Sequence, residues 1–261
     1  MRVDLNVDMG EGFGRWRMGD DAALLDVVTS ANVACGAHAG DPDIMDRTMR
    51  MAAEKGVGVG AHPGFADLQG FGRRRMAIDA MEAGRLVAWQ VGAAAGVAGW
   101  AGAEMRHVKL HGALANMASE DEELALRCYD AAIHAAPGAI MLVLAGTAQQ
   151  RAAERLGLPW AGEIFADRGY EDDLTLVRRG TPGAMVEDPD EAAARMVAFV
   201  RQGGVSTRSG AVVAAACDSI CLHGDGPTAL AIARAVRAAL EAEGVTLAPF
   251  AGRRADGAAK S

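Results

Sequence analysis

Short apolar or alternating runs and longer amphipathic stretches follow one another along the chain in regular order. The runs VDLNVDM (3–9), SANVAC (30–35), GVGVGAH (56–62), MRHVKLH (105–111), AIMLVLA (139–145), WAGEIFA (160–166) and DSICLH (218–223) predict strands. Helices are predicted over 20–28, 42–55, 78–100, 119–135, 147–156, 189–202 and 227–243, and VTLAPF (245–250) predicts a last short strand. Strand–helix alternation implies parallel pairing through right-handed crossovers. Seven or eight such units without a linker-like composition shift predict one α/β domain over 1–250, a closed β/α barrel. A doubly wound open sheet is the alternative. The polar stretch from 167 to 188 lacks periodicity and reads as an active-site loop with a small hairpin. The tail AGRRADGAAKS (251–261) reads as flexible and without chemistry.

Within two strands the polar residues share one face. Asp4, Asn6 and Asp8 alternate with Val3, Leu5 and Val7, and His107, Lys109 and His111 alternate with Val108 and Leu110. Parallel strands covered on both sides should be apolar almost throughout. Helices cover the outside of a barrel, so the polar set has to point inward, where an unpaired charge costs several kcal/mol or more. Mutual ion pairing is one reason for such an interior, and an active site is the other.

The strand ends favour a site. Four of the six histidines stand where a predicted strand ends or just beyond: His38 in CGAHAG, His62 in GAHPG, His111 in LHGA and His223 in LHGDG. Each is followed closely by a glycine, and barrel enzymes build their sites at this rim. Asp8, Glu11, Lys109 and Asp225 join them. His134 lies in a helix and reads as a surface residue, and His107 reads as a packed hydrogen-bonder. The set suits acid–base or metal-assisted hydrolysis, with Asp8, His38 and His62 as a candidate divalent-metal triad. In HGDGPTALAIARAV (223–236), Asp225 either caps the helix or belongs to a turn whose free N–H groups hold an anion.

Composition narrows this further. Half the residues are hydrophobic, while the formal charge of −8 argues against nucleic-acid binding. No apolar run is long enough for a membrane span, and the acidic MRVDLNVDMGE start is unlike a signal peptide. A cytoplasmic location is expected. The four cysteines (Cys35, Cys128, Cys217, Cys221) form no C-x-x-C pair and read as free thiols. GEGFGRW (10–16) lacks dinucleotide spacing, and the chain contains no Walker A, G-x-S-x-G or H-E-x-x-H motif.

The series DLNVDMGEGFG…MGDD, TSANVACGAHAGDP, GVGVGAHPGFADLQGFGRR, RHVKLHGAL, FADRGY and DSICLHGD resembles the LamB/YcsF lactam-utilization family, which is the family of the 5-oxoprolinase A subunit, in order from about residue 2 to 243. The resemblance implies a seven-stranded, TIM-like β/α barrel related to the glycoside hydrolase and deacetylase barrels. It implies ATP-dependent opening of 5-oxoproline to L-glutamate with partner subunits B and C. It carries over to Asp8, Glu11, His38, Asp41, His62, Lys109, His111, Asp167, Arg168, His223 and Asp225. On this reading Asp8, His62, Lys109 and His111 are catalytic, and Glu11, Asn32, His38, Asp41, Arg168, His223 and Asp225 bind substrate. ATP is expected to be handled with the partners, a divalent metal remains an alternative cofactor, and a homo-oligomer is compatible with the sequence. Leu110 and Ala115 depart from the family's Pro and Tyr, and Gly64-Phe65 from its Ser-Tyr. A stand-alone metal-dependent amide hydrolase or deacetylase is one competing function. A non-catalytic, substrate-holding component that works only within a complex is the other.

Overall fold

The computed structural model describes residues 1–253. Seven parallel strands close into a barrel: β1 (Arg2–Met9), β2 (Ser30–Ala34), β3 (Gly58–His62), β4 (Met105–Lys109), β5 (Ile140–Leu144), β6 (Trp160–Phe165) and β9 (Ser219–Leu222), with β9 pairing back onto β1. The barrel expectation therefore holds. A short β10 (Thr246–Leu247) pairs beside the start of β1. Arg253 still bridges Trp160 and pairs with Asp218, and the rest of the expected tail, 254–261, lies outside the described residues.

The outer layer is α1 (Asp21–Leu24), α2 (Pro42–Glu54), α3 (Ala80–Ala101), α4 (Gly112–Glu120), α5 (Glu122–Ala135), α6 (Ala148–Arg155), α7 (Pro189–Gln202) and α8 (Ala229–Ala242). Asp41, Asp79, Asp121 and Asp188 cap α2, α3, α5 and α7 by accepting backbone N–H groups of the first turn. Two elements were not expected. The α4 helix begins directly after His111, because Gly112 takes φ 55° and turns the chain within one residue. A hairpin of β7 (Gly204–Ser206) and β8 (Val212–Ala214) follows α7. Among the described residues no helix is long and apolar enough to cross a membrane.

Alanine and valine from the helices pack on the outward faces of the strands, whereas the barrel interior is polar. Asp4 accepts hydrogen bonds from the hydroxyls of Thr29, Ser30 and Ser219. Burial nevertheless pushes its carboxyl up to about 6, against those hydroxyls. Above it, Asn6 donates to Ser219 Oγ (2.7 Å), Asn32 donates to Asn6 Oδ1 (2.7 Å), and His107 Nε2 lies 2.8 Å from Asn32 Oδ1. Mutual pairing thus links the lower interior and leads upward to the rim, with His107 Nδ1 left without a partner among the described residues. His107 fits because Gly60 faces it without a side chain; a Cβ at Gly60 would overlap the imidazole. Gly60→Ala is accordingly expected to cost about 3 kcal/mol, lowering Tm by about 6–12 °C. An unchanged melting temperature would refute this packing.

Candidate functional site

The residues expected at the rim stand at or just beyond the C-terminal ends of the strands. Asp8 sits near the end of β1, and a left-handed Gly10 (φ 69°) turns the chain so that Glu11 is buried over the barrel mouth. His38 follows β2, His62 ends β3, His111 follows β4, Asp167 follows β6 and His223 follows β9.

Three of the four rim histidines form one cluster. His62 Nδ1 lies 2.9 Å from the Lys109 carbonyl, and His111 Nε2 lies 2.8 Å from the Phe71 carbonyl. A carbonyl only accepts, so each takes the ring proton and fixes the tautomer. The remaining nitrogens, His62 Nε2 and His111 Nδ1, then face each other across 3.0 Å with lone pairs. His38 stacks on His111 at 3.6 Å between centroids, and its Nε2 is 3.5 Å from Glu11 Oε1. Gly72 makes this stacking possible: at φ 62° a Cβ there would come within 2.7 Å of His38 Cβ.

Glu11, His38, His62 and His111 each offer one ligand atom, all within 4.8 Å of one another. Glu11 Oε1 and both ring nitrogens of His38 are buried without a hydrogen-bond partner among the described residues. Burial, reinforced by His62, holds His38 well below the usual imidazole range, and burial with His38 does the same to His111. Burial and the nearby Asp8 carboxylate push Glu11 well above its usual range. Converging imidazole lone pairs, a carboxylate without a partner and second nitrogens anchored on carbonyls fit a divalent cation such as zinc or manganese. The triad expected from the sequence was Asp8, His38 and His62, and Asp8 Oδ2 lies 3.2 Å from His62 Nε2. Glu11 and His111 join His38 and His62, while Asp8 is engaged elsewhere.

That engagement is with Lys109. Its ammonium donates to Asp8 Oδ1 (2.8 Å), Asn6 Oδ1 (3.2 Å) and Cys221 Sγ (2.9 Å), and pairs with Glu163 Oε1 at 2.9 Å. Burial would raise Asp8, but the neighbouring His62 and the Lys109 ammonium outweigh it and hold the carboxyl well below its usual range. Burial would likewise lower Lys109, yet Asp8, Cys221 and Glu163 keep it well above its usual value. Asn32 also donates to Asp8 Oδ1 (2.9 Å), so only Oδ2 is left open, 3.2 Å from His62 Nε2. Burial raises the Cys221 thiol far above its usual range and the Cys35 thiol to about 12, which disfavours thiolate chemistry at either.

His223 departs from the cluster. Its Nδ1 and backbone N–H meet the Asp167 carboxylate (Nδ1 to Oδ2, 2.8 Å), and Arg179 donates to its Nε2 at 3.1 Å. Arg168 donates to the carbonyls of Ala184 and Val177, which folds the 167–188 stretch back on itself through bridges Arg168–Met185 and Tyr170–Leu176. Asp225 does not cap α8; it pairs with Arg73 at 2.7 Å. These groups enclose a cavity of about 610 Å³ whose lining includes Asp8, His62, Lys109, Glu163, Arg73 and Arg179.

Other expected residues take supporting places. Asn32 is fully buried between Asn6, Asp8 and His107, and Asp41 caps α2 while accepting the Gly14 N–H. His107 is a packed hydrogen-bonder, pushed down to about 3 by burial, and His134 lies on the surface. Glu163, Arg73 and Arg179 were not singled out from the sequence. A lone acid in the apolar run WAGEIF was the available signal for Glu163; nothing local distinguishes Arg179 from its neighbours in LVRRG.

Comparison with known proteins adds the lineage. The chain is 57% identical over 249 residues to the 5-oxoprolinase A subunit of Ruegeria pomeroyi, covering 95% of this chain and 98% of that protein. It is 52% identical over 254 residues to the 5-oxoprolinase A subunit of Rhodopseudomonas palustris, covering 97% and 100%. The crystal structure of a lactam utilization protein from Thermus thermophilus superposes with a TM-score of 0.89 at 42% identity, covering 96% of this chain and all of that one. A family 4 carbohydrate esterase from Streptomyces lividans, at TM-score 0.50 and 11% identity over 94% and 91% of the chains, shares the fold alone. The LamB/YcsF family model matches residues 3–255, and the chain belongs to the LamB/YcsF family.

Proposed function

We propose that this chain is the lactam-opening subunit of an ATP-dependent 5-oxoprolinase, forming L-glutamate together with partner subunits B and C. One observation carries the reading: a single rim cavity sets a buried Asp8–Lys109–Glu163 ion network beside an imidazole–carboxylate cluster and faces both with arginines. The names borne by the relatives agree with it. A lactam amide is a poor electrophile, and ATP coupling supplies the missing driving force; nucleotide handling is assigned to the partners because the sequence has no phosphate loop.

The open Oδ2 of Asp8 orients the attacking water and takes its proton. The same carboxylate then passes the proton to the departing ring nitrogen. Lys109, kept fully charged by its two carboxylates, stabilises the developing oxyanion through its field. Glu11, His38, His62 and His111 would hold a divalent cation, which when bound would add carbonyl polarisation and water activation. The 223–228 turn, which begins at the cavity-lining His223, is assigned to the substrate carboxylate. Adding the chain to subunits B and C with ATP and 5-oxoproline tests the reading: glutamate should accumulate with ADP, and a mixture that forms neither would overturn it.

A further inference from the structure

Six arginines line the cavity, and five are accounted for. Arg73, Arg74 and Arg75 pair with Asp225, Asp67 and Glu120. Arg168 is held by two carbonyls, and Arg178 is exposed to solvent. Arg179 differs. Its side chain is half-buried, its guanidinium donates only to His223 Nε2 (3.1 Å) and Met185 Sδ (3.0 Å), and among the described residues no carboxylate lies within 4.0 Å. Asp167 is no relief, because His223 engages its carboxylate from both the ring and the backbone. A cation withdrawn from water costs stability; Asp225, Asp167 and Asp8 offset that cost only through space, and among the described residues no direct ion pair does so.

Its surroundings point to what does. Arg73 lies near enough to depress Arg179 by like charge, after burial, and Arg168 falls to about 10 through burial and Arg179. Four guanidinium nitrogens lack a protein partner among the described residues: Arg168 Nη1, Arg179 Nε, and Arg73 Nη1 and Nε. Several planar forks around one cavity wall match the several oxygens of a tetrahedral dianion better than one planar carboxylate. His223 completes the arrangement. Its Nδ1 proton goes to Asp167, so Nε2 accepts from Arg179 and fixes the guanidinium toward the cavity.

We infer that Arg179, with Arg73 and Arg168, forms a phosphoryl subsite for an oxyanion carried on the activated lactam or released from it as inorganic phosphate. The inference rests on the lactam-opening reading and deepens it. A partner transfers the γ-phosphoryl of ATP to the lactam oxygen, leaving ADP and an O-phosphorylated cyclic imidate. Water adds to the imidate carbon, the C–N bond breaks as the ring nitrogen gains a proton, and an acyl phosphate remains. A second water attacks the same carbon and breaks its bond to the phosphate-bearing oxygen. The lactam oxygen leaves in the phosphate, and both oxygens of the new carboxylate come from water.

Equilibrium dialysis of radiolabelled orthophosphate against the intact chain tests the subsite, with Arg179→Met and Arg179→Lys alongside and melting curves to verify folding. Wild type should bind phosphate, Arg179→Met about tenfold or more weakly, and Arg179→Lys in between. Binding of 5-oxoproline should stay within about twofold in all three. Unchanged phosphate binding in Arg179→Met would overturn the subsite, and so would loss of 5-oxoproline binding instead, which would make Arg179 a carboxylate clamp. The assembled complex separates the two sources. For a substrate-borne group, Arg179→Met leaves ATP consumption running while glutamate formation falls; for free phosphate, turnover stays normal and inhibition by added phosphate weakens. Phosphate binding that depends on Arg179 in a complex that never opens 5-oxoproline would keep the subsite and sink the lactam reading.

Discussion

Replacing Lys109 with Met is expected to reduce glutamate formation by the assembled complex about a thousandfold or more, the largest effect of any single substitution at the rim. Lys109 is the cation shared by Asp8 and Glu163, and all three are buried. Its removal takes away the positive field at the reacting carbonyl and frees Asp8 to bind a proton. The same substitution leaves two buried carboxylates facing each other, at a cost of about 3–5 kcal/mol. The sign of the pH dependence follows. Glu163 is already raised above 4.5 by burial, despite Lys109, and without the ammonium it rises further. A carboxyl raised in the folded state gives most stability below its unfolded value and loses it as pH climbs through the folded value. Asp8, depressed in wild type, contributes stability that is present above its unfolded value and lost as pH falls. The stability gap between wild type and Lys109→Met should therefore be wide near about pH 8 and narrow toward about pH 5 in denaturant titrations. Adding Glu163→Gln should recover part of the stability and none of the activity. Near-wild-type turnover by Lys109→Met would remove Lys109 from the mechanism.

The second large effect concerns His38. Both of its nitrogens are buried without partners, so as a packing residue it is a poor choice, and replacing it with Ala would relieve two unsatisfied polar atoms. The proposed cation site gives it a role that packing does not. After supplementation with zinc or manganese and dialysis, wild type should retain about one ion per chain and His38→Ala close to none. The cation should raise the melting temperature of wild type alone, and activity of the complex carrying His38→Ala should fall about a hundredfold or more. Equal metal content in the two proteins, or a wild type that binds no ion, would contradict the ligand assignment.

Much of this was legible in the sequence because barrel strands impose a period of two. Asp4, Asn6 and Asp8, and His107, Lys109 and His111, announced a polar interior, and glycine-flanked histidines marked the rim. What the period cannot supply is which rim group meets which. His223 looked equivalent to the other three, but β9 lies between β6 and β1, and Asp167 at the end of β6 takes its ring away from the cluster. Asp8 looked like a metal ligand, yet Lys109, 101 residues away, claims its Oδ1. Glu163 and Arg179 acquire meaning only through partners on other strands and loops. The α4 helix escaped because a single glycine turn, rather than a loop, joins it to β4.

The most direct test of the account follows glutamate and ADP in one reaction containing this chain, subunits B and C, ATP and 5-oxoproline, with Lys109→Met as the matched inactive chain. The account predicts that glutamate and ADP appear in equal amounts, and that glutamate is lost when the chain, a partner or ATP is omitted or when Lys109→Met is substituted. Opening of 5-oxoproline by this chain alone without ATP, or by the partners without this chain, would contradict it.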